Sequence, residues 1–189
     1  MKSGTRAVGI AASDGEQEGD ASVLCGAVVR ADRVVDGVSF VSCTVGGTDA
    51  TAAMERLVTD LDREDVQYVL VAGVAPAWFN VVDLPRLATA VGRPVIAVSF
   101  EESAGLEPAL REAFEGEALE DRLAVYERLP PRRPVSVNDE TVFVRAVGCD
   151  REDATAVVRA FTPEGGRPEP LRVARLAARG AREWSLDGT

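Results

Sequence analysis

Three β-like runs in succession open the chain, and that order limits the possible folds more than any other feature. Residues 6–12 read RAVGIAA, 22–30 read SVLCGAVVR and 34–45 read VVDGVSFVSCTV; the link Ala31-Asp32-Arg33 suits a hairpin between the last two. The period then changes. Ala53, Leu57, Val58 and Leu61 fall at helical spacing behind Thr48-Asp49, which can cap a helix. Residues 67–72 (QYVLVA) and 94–100 (PVIAVSF) are continuous apolar runs of the kind that buried parallel strands show, with a helix over 84–91, opened by Asp83, between them. Helices are expected over 106–114 and 118–129, then, past the break Pro130-Pro131-Arg132-Arg133-Pro134, a hairpin over 135–137 and 141–147 around Asn138-Asp139. Helices over 152–161 and 171–184 close the chain.

A meander, a helix and then β-α-β units describe an α/β domain with a mixed five-stranded sheet, flanking helices and a small extra hairpin, in the ribonuclease H-like order. A doubly wound, flavodoxin-like sheet would alternate strand and helix from the start. One domain over residues 1–189 is expected, with its last few residues flexible.

Composition narrows the chemistry. The chain has no histidine, which excludes Ser-His-Asp and Cys-His nucleophiles, histidine-held zinc and any imidazole base. Lys+Arg 21 against Asp+Glu 31 gives a net charge of −10, and Lys2 is the only lysine. Such a surface reads either as avoidance of nucleic acid or as adaptation to a saline cytoplasm, where salt screens self-repulsion. Cys25, Cys43 and Cys149 show no metal or disulfide spacing, and the first two read as core residues. No apolar run approaches the roughly 20 residues of a membrane span and no signal peptide is evident, so a cytoplasmic protein without a membrane partner is expected.

The loops where strands give way to helices hold the candidate functional residues. None is a phosphate-binding P-loop or a dinucleotide fingerprint, since Gly46-Gly47 lacks the lysine. Trp78, Phe79 and Asn80 follow a buried strand; two aromatics and an amide suit base stacking or a duplex wedge, or else a local core. Asp49 and Asp83 each suit a helix N-terminus or a metal ligand, and Asp14, beyond the first strand, is the third candidate ligand. Glu101 and Glu102 can reach a central metal or lie solvated. Arg167, Arg172 and Arg175 can grip phosphates or form a basic helix face.

GGTDAT (46–51), WFNVVDL (78–84), GRPVIAV (92–98) and TPEGGRPEPLRVA (162–174) together resemble an archaeal family associated with endonuclease dU and similar in fold to endonuclease V. The resemblance runs from Arg6 to Ala178. It implies a ribonuclease H-like fold and Mg²⁺- or Mn²⁺-dependent cleavage of DNA carrying a deaminated base such as deoxyuridine, the carboxylates holding one or two ions. On that reading Asp14, Asp49 and Asp83 are the metal-holding, catalytic residues. Trp78, Phe79, Asn80, Arg167 and Arg172 contact the DNA.

The chain departs from the family at several of these places. Where the first strand of the family ends Gly-Ile-Asp-Asp, this one reads Gly9-Ile10-Ala11-Ala12. The strand position that carries an aspartate in endonuclease V is Ala72, and that enzyme's histidine has no counterpart. Asp14 lies three residues past Ala11, about 10 Å along an extended chain, so only a turn could bring it back. Two functions follow as expectations: a metal-dependent endonuclease for deaminated DNA, or a degenerate ribonuclease H-like domain that binds nucleic acid or a protein without cutting.

Overall fold

The computed structural model describes residues 1–13, 15 and 17–187. The expectation about the chain's last residues lies in part outside them. β1 (Arg6–Ala12) runs antiparallel to β2 (Ala21–Arg30), which pairs antiparallel with β3 (Val35–Thr44). Helix α1 (Ala50–Leu61) then crosses over to β4 (Val66–Ala72), which lies parallel to β1 on its other side. A short turn, α2 (Pro76–Phe79), and helix α3 (Leu84–Val91) lead to β5 (Val95–Ser99), parallel to β4. Next come α4 (Glu107–Ala113), α5 (Gly116–Glu127), the hairpin β6 (Arg133–Val137) and β7 (Glu140–Val147), α6 (Arg151–Ala160) and α7 (Glu169–Asp187).

The sheet has seven strands in the order β3-β2-β1-β4-β5-β7-β6, where five and a separate hairpin were expected. β7 pairs with β5 from Val95↔Val147 to Ser99↔Phe143. The reason is the edge that β5 would otherwise present: Val95, Ile96, Ala97 and Val98 are apolar on both faces, and an unpaired ladder beside them would invite association. The hairpin is therefore part of the sheet.

Two helical layers cover the sheet. On one face Met54 and Leu57 of α1 and Leu84 and Leu87 of α3 pack on Val8, Ile10, Leu24, Val69 and Val71. Full burial of each such side chain is worth about 1.5–3 kcal/mol. On the other face Val157 and Phe161 of α6 and Leu171 of α7 cover Leu70, Ile96 and Val98. Farther along α7, Ala174 and Ala178 lie over Ala11, Cys25 and Ala27. Helix α7 can come this close because Gly9 has no side chain: a Cβ there would stand 2.3 Å from the Pro170 carbonyl carbon. The start of α7 is thereby pressed onto β1 beside the carboxyl ends of the parallel strands. Among the described residues no helix is long and apolar enough to cross a membrane.

Candidate nucleic-acid site at the strand ends

β1, β4 and β5 end together, and there an open α/β sheet offers its crevice to a ligand. β1 and β4 are in register through Ile10↔Val71, and the residues that follow, Ala11 and Ala72, face one cluster of small side chains. Cys25, Ala174 and Ala178 complete it, and Ala11 is buried. This ground is apolar. Among the described residues this cluster offers a cation no side-chain oxygen.

Asp49 takes the N-cap position of α1, yet its carboxylate caps nothing. The Ala50 amide donates instead to the side-chain oxygen of Asn80 at 2.9 Å. Asp49 accepts from the Thr44 amide (3.0 Å), the Thr44 hydroxyl (3.0 Å) and the Asn80 amide (2.7 Å), and Asn80 also donates to the Thr44 carbonyl at 2.8 Å. Burial opposes the charge on Asp49, but these donors hold its carboxyl below the usual carboxylate range. Asn80 is fully buried. It ties the end of β3, the start of α1 and the loop after β4 into one knot, so the expected contact with nucleic acid is corrected. An amide with every partner inside the protein has nothing left for a base.

Asp83 is the N-cap of α3, accepting from the Arg86 amide at 3.0 Å, and its second oxygen pairs with Arg128 at 2.8 Å. Here too burial works against the charge, while Arg128 and the helix amide outweigh it and lower the pKa. The Asp83 amide donates to the Thr51 hydroxyl at 3.0 Å, which joins the α1 and α3 termini.

A Mg²⁺ or Mn²⁺ ion needs several oxygen ligands, usually carboxylates and waters. Among the described residues no three of Cys, Asp and Glu gather where they could hold a metal. Asp49 and Asp83 are occupied by the fold and Ala11 and Ala72 carry no oxygen, so among the described residues the donor set does not fit such an ion. The third expected ligand, Asp14, lies outside the described residues.

Trp78 and Phe79 sit on a left-handed turn. Ala77, Trp78 and Phe79 have φ of 47°, 51° and 59°, a run that costs non-glycine residues about 1–2 kcal/mol each. The surroundings enforce it. The Gly46 amide donates to the Ala77 carbonyl at 2.8 Å, the Asn80 amide to the Pro76 carbonyl at 3.1 Å and the Val82 amide to the Val74 carbonyl at 2.8 Å. Gly46 is needed for the fit, since a Cβ there would meet the Trp78 ring at 2.8 Å. Arg122 of α5, almost fully buried, donates to the carbonyls of Phe79 (3.2 Å), Gly46 and Gly47 (3.3 Å). Its guanidinium lies 3.9 Å above the Phe114 ring, which packs with both Trp78 and Phe79. Phe79 belongs to a local aromatic core, while Trp78 keeps 44% of its surface exposed.

The arginines part company. Arg172 forms a two-pronged pair with Glu169 at 2.7 and 2.5 Å on the surface of α7, as a basic helix face would. Arg167 instead lines a cavity of about 520 Å³ at the ends of β4 and β5, together with Arg132, Arg145 and Arg175. Sequence reasoning missed Arg132 and Arg145. The second left a signal, a charged residue inside β7, an internal strand of the sheet.

The comparisons with known proteins agree with this architecture. The Endonuclease dU family model matches residues 3–182. The chain belongs to the Endonuclease dU family. A UPF0215 protein of Pyrobaculum calidifontis is 34% identical over 165 residues, covering 86% of this chain and 90% of its own. One from Thermococcus kodakarensis is 35% identical over 159 residues, 83% of this chain and 80% of its own. Among solved structures, an Archaeoglobus fulgidus protein of unknown function superposes with a TM-score of 0.80 at 23% identity, over 94% of this chain and 98% of that one. Human endonuclease V gives 0.64 at 15% identity over 96% and 86%. Endonuclease V of Ciona intestinalis, solved with a 24mer DNA containing an inosine followed by a ribo-adenosine, gives 0.61 at 14% over 95% and 86%. These likenesses establish an endonuclease V-like fold.

Proposed function

We infer that this protein is a nucleic-acid-binding member of the Endonuclease dU family, one ribonuclease H-like domain over residues 1–189, that engages DNA carrying deaminated bases such as deoxyuridine without cutting it through a bound Mg²⁺ or Mn²⁺. A single observation carries the second half of this reading: Ala11 and Ala72 stand on adjacent strands at the positions where the resemblance places a first-strand aspartate of the family and a strand-end aspartate of endonuclease V. Family membership and the DNA seated on the Ciona relative support the first half. So do Trp78, available for stacking on an unpaired base, and the arginines of the cavity. When bound in an active relative, the ion would activate water and stabilise the leaving oxygen. Here Asp83 caps α3, and Asp49 binds Thr44 at the end of β3 and Asn80 instead. The net charge of −10 weakens long-range attraction to DNA but does not touch the local arginine field.

The test is incubation of the intact chain with uracil-containing and undamaged DNA, with Mg²⁺ or Mn²⁺, following both retention on a gel and strand breakage. Retention of uracil-containing DNA without nicks is expected. Nicks lost in Asp49→Ala and Asp83→Ala would instead establish the metal-dependent endonuclease.

A further inference from the structure

The cavity that Ala72 borders is walled by four arginines, with Glu101 the one acid in its lining among the described residues. Seven arginines elsewhere in the chain, Arg6, Arg30, Arg63, Arg86, Arg111, Arg128 and Arg172, pair with carboxylates. Three of the cavity, Arg132, Arg145 and Arg167, are treated differently. Arg132 donates to Ser99, Ser103 and the Glu101 carbonyl, and its guanidinium lies 4.0 Å above the Phe143 ring. Arg145 donates to the Pro130 carbonyl and, at 3.2 Å, to the Tyr126 hydroxyl. Arg167 is the least satisfied: it lies 4.0 Å above the Phe100 ring, and no hydrogen bond or ion pair among the described residues engages it. Burial and the neighbouring Arg175 both lower the pKa of Arg167, and burial with Arg132 does the same for Arg145. Around Arg132, Arg145 and Arg167 positive charge has been gathered and partly desolvated, and among the described residues no carboxylate pairs with these three.

We propose that this cavity binds a phosphomonoester, the phosphate of a nucleoside 5′-monophosphate unit, with Arg167 as its principal contact. A guanidinium with all its N–H groups uncommitted matches phosphate oxygens in a two-pronged geometry. A dianion answers clustered cations better than the single charge of a phosphodiester. The volume of about 520 Å³ falls within the 300–1,000 Å³ usual for small-ligand sites, so it suits one nucleotide better than a duplex groove. Phe100, Tyr126 and Phe143 add aromatic surface for a base. The phosphate can belong to a free mononucleotide or to the 5′ end of a strand. The strand-end form rests on the nucleic-acid reading above; the free form does not.

The experiment is calorimetric titration of the intact chain with inorganic phosphate, deoxyuridine 5′-monophosphate, and one uracil-containing oligonucleotide bearing either a 5′-phosphate or a 5′-hydroxyl. The monophosphate should bind, and more tightly as pH rises through about 6, where a monoester takes its second charge. Arg167→Ala should weaken it roughly tenfold or more, the loss of a charge-assisted bond. Arg111→Ala, which disrupts only a surface pair with Glu107, should not. Arg167→Gln provides the measurement should the alanine variant fail to fold. If the phosphorylated oligonucleotide binds tighter than its hydroxyl twin, and Arg167→Ala erases the difference, the site receives strand ends. Monophosphate bound with neither oligonucleotide bound keeps the site as one for free nucleotide and contradicts the nucleic-acid reading. No monophosphate binding, or binding indifferent to Arg167, overturns the proposal even if both oligonucleotides bind.

Discussion

Ala11, next to last in β1, and Ala72, last in β4, stand on neighbouring parallel strands and face the same small-residue cluster beneath α7, with Ala11 only 2% exposed. Two methyl groups on adjacent strands leave that surface apolar, and Ala174 and Ala178 of the helix close over it. On one side of Ala72 the arginine cavity begins.

Putting carboxylates back should restore affinity for cations. Ala72→Asp, alone or with Ala11→Asp, places unpaired charge on apolar ground and should lower the melting temperature without metal. Mn²⁺ should then raise it, because an ion bound only by the folded state stabilises that state. A melting temperature indifferent to Mn²⁺ in both variants would show that the strand ends do not form a cation site even when furnished with ligands.

Asp83 separates capping from metal binding. Asp83→Ala should cost about 1 kcal/mol through loss of the α3 cap, whereas Asp83→Asn, which also caps, should cost less. Chemical denaturation measures both. Equal losses would argue that the carboxylate charge, through Arg128, matters more than the cap.

Asn80 should be indispensable to the loop system and irrelevant to base recognition. Asn80→Ala removes the acceptor of the Ala50 amide and the donor to Asp49 and Thr44, leaving buried polar groups unpaired, at about 1–3 kcal/mol. Under conditions where the variant stays folded, DNA affinity should change little. A large loss of affinity without loss of stability would return Asn80 to the binding surface.

The left-handed turn makes a prediction of the opposite sign. Ala77→Gly relieves a positive φ and should stabilise by up to about 1 kcal/mol, offset by the extra freedom that glycine gives the unfolded chain. Trp78→Ala should leave folding largely intact and weaken binding of single-stranded or unpaired DNA by about 1–3 kcal/mol, the worth of one stacked base. Unchanged affinity would assign Trp78 to the aromatic core alone.

Acid should loosen the same knots. Asp49 and Asp83 have lowered pKa values in the folded protein, so their contribution is present above the unfolded carboxyl value of about 3.9 and is lost as pH falls through the folded values. The stability gap between the wild type and Asp83→Ala should thus persist at neutral pH and shrink below about pH 4. A gap that widens in acid would contradict the assigned partners.

Much of this was legible in the chain itself, because strands and helices announce their burial by period. The alternation in β2 and β3, the apolar runs of β4 and β5 and the proline break before β6 are local features, and each became the expected element. The partner of β7 was not local: nothing near Thr141 says that β5 will need its edge covered. The true cap of α1 was equally hidden, since the Ala50 amide is served by Asn80, 30 residues away, while the adjacent Asp49 turns back to Thr44. Arg167 and Arg172 look alike in sequence. Only the fold shows that one meets Glu169 and the other enters the cavity.

The most direct measurement is the count of tightly bound Mn²⁺ on the intact chain, Asp14 included, by paramagnetic resonance in high salt that screens loose association with the acidic surface. No site-bound ion at submillimolar Mn²⁺ is the expected result. One or two ions held per chain, and released by Asp49→Ala or Asp83→Ala, would contradict the claim that this sheet end has lost its cation site.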